Sequence, residues 1–149
     1  MAGYVINTDG GARGNPGPAG AGWVIVDEKG RELKKNAKAL GVQTNNWAEY
    51  EAVILALAEL KRILGTARLR DASVEVRMDS ELVARQLRGE YQVKEEPLQL
   101  QFVRVHNMQV KDFPNITFTY VPREKNKEAD KLANTAMDGH SGDLFEKHT

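Results

Sequence analysis

The sequence contains no cysteine, which excludes a disulfide framework and any thiolate metal site. Histidine is scarce, at three residues, so a metal held here would fall to oxygen ligands rather than to the sets that suit zinc. An excess of either charge is also missing. Twenty-one basic residues meet 21 acidic ones for a formal net charge of 0, whereas domains that hold nucleic acid by bulk electrostatics are strongly basic. That balance still permits a local basic patch offset by carboxylates elsewhere. No apolar run approaches the roughly 18 residues that span a membrane, and the opening MAGYVINTDG lacks the basic-then-apolar plan of a secretory signal. The expectation is one cytoplasmic, monomeric domain over residues 1–149, with 139–149 as a tail and no obligate protein partner. The 41% hydrophobic and 28% charged content is ordinary for a globular chain.

What is present is clearly punctuated. Residues 4–9 read as a strand, and 21–27 and 31–40 as two more, joined at DEKGR by a turn that uses Gly30. A helix starts near Asn46: Val53, Leu57, Leu60 and Leu64 recur at helical spacing, Glu51, Glu59 and Arg62 fall opposite, and Gly65 stops it. Residues 73–78 form a fourth strand, followed by a short helix over 80–88 that ends at Gly89. EEPLQLQFVRVHNMQVK reads as a helix with apolar positions Leu100, Val103 and Met108, although LQLQFVRV also alternates like a strand. Residues 116–121 are the fifth strand and 126–138 the last helix, capped by Asn126. This order predicts an α/β fold with one mixed five-stranded sheet, a three-strand antiparallel meander plus two parallel strands, flanked by helices.

Four acids stand at telling places in that order. Asp9 closes the first strand and Asp79 the fourth, where ligands of open α/β sheets bind. Either also fits a plainer role, since Asp favours strand ends and MDSEL reads as a helix N-cap. Glu49 continues the apolar stripe of Val53, Leu57 and Leu60 into the first helical turn, where a charge is costly unless paired or metal-bound. The positive end of the helix is the alternative stabiliser. Asp130 borders the packed face of Ala129, Leu132, Ala133 and Ala136 in the last helix. Four converging carboxylates repel by several kilocalories per mole if nothing neutralises them. Hard divalent cations, Mg²⁺ or Mn²⁺, solve this, and two of them roughly 3.5 to 4 Å apart stabilise both oxygens of phosphodiester cleavage.

TDGGARGNPGPAGAGWVIV, TNNWAEYEAVILALAEL, RMDSELVARQLRGEYQVK and VPREKNKEADKLAN together resemble type I ribonuclease H, in the family's order and over residues 4–137. The resemblance implies a ribonuclease H-like fold and hydrolysis of the RNA strand of RNA/DNA hybrids, leaving 5′-phosphate and 3′-hydroxyl ends. It implies that Asp9, Glu49, Asp79 and Asp130 hold two Mg²⁺ or Mn²⁺ ions. It further implies hybrid contacts from Asn15, Asn45 and Asn46 in the minor groove and from Thr44 to a DNA phosphate. Gly10 and Gly11 would admit the RNA strand to backbone amides, with Ser80 beside the third acid. Turn and cap chemistry is the plainer use of the asparagines.

Three features depart from the family pattern. Glu81 stands where many members carry Gln. The loop VPREKNKEAD lacks the histidine that assists product release, which leaves Arg123 and the more distant His140 as substitutes. No basic insertion lies between the two middle helices, so this resembles the branch without that protrusion, with Arg85, Arg88, Lys94, Lys125 and Lys127 as remaining contacts or plain solvated surface. A non-catalytic hybrid-binding module of the same fold is the alternative, and four unneutralised acids argue against it. A DNA-strand-transfer or junction-resolving nuclease is a third class, disfavoured by TNN and GNPGP.

Overall fold

Alternating small and apolar residues carry the chain through three antiparallel strands, β1 (Gly3–Ala12), β2 (Gly17–Asp27) and β3 (Glu32–Gln43). The computed structural model describes residues 2–142, the side chains of 140–142 excepted. After α1 (Asn45–Leu64) and the short α2 (Thr66–Arg70), β4 (Ser73–Met78) pairs in parallel with β1. Then come α3 (Glu81–Leu87), α4 (Glu96–Asp112) and β5 (Ile116–Tyr120), which pairs in parallel with β4. A single 3-10 turn at Arg123–Lys125 leads into α5 (Lys127–Gly142). The strand order is β3-β2-β1-β4-β5, the mixed sheet expected from the sequence.

Helices cover both faces of this sheet, and β1 shows which is where. A side chain on Gly10 would run into the Ala48 carbonyl of α1, whereas one on Gly11 would meet Met137 of α5. Successive strand residues point to opposite faces, so α1 and α5 lie on opposite sides. On the α1 side, Ile6, Ile25, Val74, Val76 and Met78 pack against Tyr50, Val53, Leu57 and Leu60 in one buried cluster. On the other side α5 rides close on β2. A Cβ at Gly22 would sit 2.6 Å from the Ala133 nitrogen, and Ala129, Ala133 and Ala136 are fully buried.

Several expectations need correcting. The first strand does not end at Asp9 but runs on to Ala12, in register with β2 from Asp9↔Gly22 to Ala12↔Ala19. The glycines that look like a loop are strand residues kept small because helices press on both faces. LQLQFVRV is helical, and the buried face of α4 is Leu98, Gln101 and Val105; Leu100 and Val103 are exposed. Glu59 does not face solvent: it is buried on α1 and accepts a 2.6 Å bond from Arg62. Asn126 occupies the residue before α5, but its side chain does not cap the helix; it reaches β1 instead. The last helix continues four residues beyond Asp138, to Gly142.

Candidate active site

Each of the four acids reaches the same end of the sheet by a different local rule. Asp9 follows Thr8, the last β1 residue paired with β4, and Asp79 follows Met78, its partner. There β1 and β4 part, while β1 stays paired with β2. Glu49 is the fifth residue of α1 and so lies just past its first turn, not within it as the sequence suggests; the helix start is held by the Thr44 hydroxyl accepting from the Trp47 amide at 3.2 Å. Asp130 sits in the first turn of α5, its amide donating to the Asn126 carbonyl at 3.0 Å. One carboxylate oxygen from each of Asp9, Glu49 and Asp79 lies within 4.8 Å of the others. Asp130 stands in the same cavity wall, close enough for its side chain to push the Asp9 carboxyl up.

Electrostatically this cluster is unfinished. Burial, then the Glu49 and Asp79 charges, holds the Asp9 carboxyl far above the usual carboxylate range. Burial, then Asp79, raises Glu49 as well, against opposing help from Asp9, the Gly10 amide and Arg123. Glu49 Oε2 and Asp79 Oδ2 are buried without any hydrogen-bond partner. Arg123 approaches Asp79 Oδ2 only to 3.9 Å, and its own side chain is 81% exposed. Buried orphaned carboxylate oxygens are expensive, and an all-oxygen set of this kind is what hard divalent cations bind. The residues present therefore fit divalent metal.

A consequence follows for pH. Asp9 and Glu49 have folded pKa values raised above their unfolded ones, so their contribution to stability is complete below about pH 4 and declines as pH climbs toward the raised values. In EDTA, the melting temperature is expected to fall from pH 6 to pH 9. Saturating Mg²⁺ should flatten that fall, because bound cations favour the ionised carboxylates. Parallel melting curves with and without Mg²⁺ across that range would contradict this reading.

A cavity of about 510 Å³ opens over the acids, lined by Gly10, Gly11, Asn45, Asn46, Ser80 and Arg123 among the expected residues. Asn15, Thr44 and Glu81 are not in its wall. Asn15 Oδ1 instead accepts from the Asn45 amide at 3.0 Å, and Asn45 Oδ1 from the Ala12 amide at 2.8 Å. The two asparagines thus lock the β1–β2 turn to the start of α1, which leaves the Nδ2 edges of their amides on the other side. Ser80 caps α3 by accepting from Val83 at 3.2 Å, and Glu81 pairs with Arg85 at 3.0 Å. Arg85 and Arg88 both pair with Glu90, the plainer of the two uses expected for them. Gly10 has a structural use as well: its amide serves the Glu49 carboxylate and its missing side chain makes room for α1. His140 falls within α5, and its side chain lies outside the described residues.

Four lining residues escaped sequence reasoning: Ala12, Arg13, Asn134 and Met137. Asn134 lies one helical turn beyond Asp130 and donates to its carbonyl at 2.9 Å, a spacing that could have flagged it. Arg13 donates to Asp138 of α5 at 2.9 and 3.2 Å; nothing local in RGNPG signals that contact.

Residues 7–136 match the family model described as reverse transcriptase-like. The chain is 39% identical over 130 residues to a ribonuclease HI of Halobacterium salinarum, a match that covers 87% of this chain and 62% of that protein. The chain therefore spans less than two thirds of that relative's length. Among solved structures it resembles LC11-RNase H1, isolated from compost, with a TM-score of 0.87 and 51% identity, covering 93% of this chain and 97% of that one. The same protein in complex with an RNA/DNA hybrid matches with a TM-score of 0.87 and 50% identity, over 91% of this chain and 96% of that one.

Proposed function

This chain belongs to the ribonuclease H family, and from that premise we propose that it hydrolyses the RNA strand of RNA/DNA hybrids. One observation carries the reading: three acids from β1, α1 and the end of β4 bring oxygens within 4.8 Å of one another, with two buried oxygens left unpartnered. A binding module has no use for that cost. In the reaction, a water oxygen bonds to an RNA phosphorus as the bond to the 3′-oxygen breaks, and the departing oxygen takes a proton. The products are a 5′-phosphate and a 3′-hydroxyl.

Asp9, Glu49, Asp79 and Asp130 would hold two Mg²⁺ or Mn²⁺ ions. When bound, these supply Lewis-acid charge to the attacking water and the leaving oxygen. The protein's own part is placement. β1 and β4 fix Asp9 and Asp79 where the parallel strands part, and the Gly10 amide orients Glu49. Arg123 beside Asp79 brings a cation to the phosphate, in the loop that lacks a histidine. The connection from α3 to α4, residues 88–95, is short and carries no basic insertion, which supports a reading of the chain as one of the branch without the protrusion. The hybrid then rests on the amide edges of Asn15, Asn45 and Asn46, on Thr44 and Ser80, and on the Gly11 backbone. Arg13, the other cation in the cavity wall, joins them. No helix of the described residues is long and apolar enough to cross a membrane, and we place the activity in a cytoplasmic monomer.

The test uses purified protein with Mg²⁺ or Mn²⁺ and four labelled duplexes: RNA/DNA, RNA/RNA, DNA/DNA and a single-ribonucleotide junction. Cleavage of RNA/DNA at the RNA strand is the expected result, and none under either metal sinks the proposal. For the groove, Asn45→Ala is expected to raise the hybrid KM by about 5-fold, the scale of one lost hydrogen bond. Arg13→Ala should weaken hybrid binding and lower its salt slope by about 1. An unchanged salt slope would return Arg13 to a surface staple between the β1–β2 turn and α5.

A further inference from the structure

Outside the acids themselves, the densest set of buried polar contacts near the site centres on Asn126, a residue 2% exposed. Its Nδ2 donates to the Thr8 carbonyl at 2.9 Å. Its Oδ1 accepts from Asn7 Nδ2, also at 2.9 Å. Its own carbonyl accepts from the Asp130 amide at 3.0 Å. The partners are not scattered. The Thr8 carbonyl belongs to the peptide unit that leads directly into Asp9, so fixing it fixes the plane from which the Asp9 side chain departs. The Asp130 amide belongs to a second acid of the same cavity wall, beside Asp9. One residue therefore grips the backbone at both acids, although they lie on different elements and 121 positions apart in sequence.

The diverted side chain strengthens the case. An asparagine just before a helix ordinarily spends its oxygen on the helix's own free amides. Here that oxygen faces Asn7, and the amide group is used up across the interface between α5 and β1. Helix capping is given up in exchange for a link between two elements. Asn7 and Asp9 point to the same face of β1 by the period of the strand, so the Asn7 contact steadies Asn126 from the side on which Asp9 emerges.

We propose that Asn126 is a positioning residue that holds Asp130 of α5 at a set distance from Asp9 of β1, and that metal affinity depends on this clamp. The inference rests on the metal-holding reading of the acids but not on the identity of the substrate. A metal site tolerates little displacement of its ligands, and loss of groups that orient such ligands typically costs 10–100-fold in affinity.

The experiment is calorimetric titration of Mn²⁺ and Mg²⁺ into the metal-free protein, with no hybrid present, at a temperature well below each variant's melting point. Asn126→Ala is expected to weaken metal binding by about 10-fold or more while far-UV circular dichroism stays that of the parent. Raising Mn²⁺ in the cleavage assay should then recover much of the lost kcat without changing the hybrid KM. Asp112→Ala removes a buried partner of Lys61 at the far end of α1. It serves as the control: it should lower the melting temperature and leave metal affinity alone. If Asn126→Ala does not fold, Asn7→Ala removes one anchor and keeps the bond to Thr8, with an expected loss of about 3-fold. Parental metal affinity in whichever of the two folds would overturn the proposal. Absence of hybrid cleavage by the parent protein would instead sink the ribonuclease reading and leave the calorimetric result standing.

Discussion

Asp9→Asn is expected to lose hybrid cleavage by about 10³-fold or more, the scale of removing a group that organises charge at the reacting centre. Its metal-free form should nevertheless melt higher than the parent. The two effects share one cause. Asp9 is buried among Glu49, Asp79 and Asp130, and its carboxyl is held far above its ordinary range by that burial first and by the neighbouring acids next. Ionising it in the absence of metal is unfavourable, so at neutral pH the parent fold carries a penalty that asparagine, which cannot ionise, does not. A gain of roughly 5 °C in EDTA at pH 8 is the expected size. Added Mg²⁺ should stabilise the parent and leave the variant almost unmoved, because one of the three clustered oxygens is replaced by an amide. Differential scanning fluorimetry with and without Mg²⁺, alongside single-turnover cleavage, reads both halves. A variant that stays active, or whose metal-free form melts below the parent, contradicts the account.

Gly10→Ala is expected to be nearly as damaging by a wholly different route. The added methyl group would collide with the Ala48 carbonyl and lie 2.6 Å from the Glu49 amide nitrogen. These are backbone atoms near the start of α1, so no rotamer change relieves the clash. Either α1 withdraws from the sheet or β1 bends. Overpacking of this kind costs about 1–3 kcal/mol or more, and here the displaced segment carries Glu49. A ligand shift near 1 Å is worth on the order of 10²-fold in rate. The variant should therefore lose both stability and kcat, with metal affinity falling in step. Gly30→Ala is the comparison: its Cβ would meet nothing within 4 Å, and although its positive φ of 78° imposes strain, that strain is far from the acids. It should lower the melting temperature and spare metal affinity. Equal effects of the two substitutions on metal binding would show that the contact with α1 is not what makes Gly10 necessary.

These two residues also divide what could be read in advance. Asp9 was legible because an acid after an apolar strand is conspicuous, and Glu49 because it interrupts an apolar helical stripe. Both signals are local, a matter of period and position. Gly10 was legible only as a glycine. That its bareness serves the close approach of α1, and that its amide is spent on Glu49, depends on Ala48 and Glu49, 38 and 39 positions away. The same limit explains α4. Leu100 and Val103 fit an apolar helical face, yet Gln101 is buried because its amide reaches the Trp47 carbonyl and Glu51 across the interface with α1. Glu59 likewise escaped, since a charge can lie inside when Arg62 is one turn away.

By itself, then, the sequence determined the order of the five strands and of the helices other than the short α2, the mixed sheet, and which four acids to examine, because strand and helix periods and their punctuation are written in near neighbours. Tertiary structure decided the rest: how far β1 runs, which face of α4 is buried, what Asn15, Asn45 and Asn126 do with their amides, and that Arg13 stands in the cavity wall. The extent of β1 depends on β2 residues 7 to 13 positions away, and the others on contacts between segments 30 to more than 100 positions apart. A side chain's chemistry lists the bonds it can make, and only packing selects the partner.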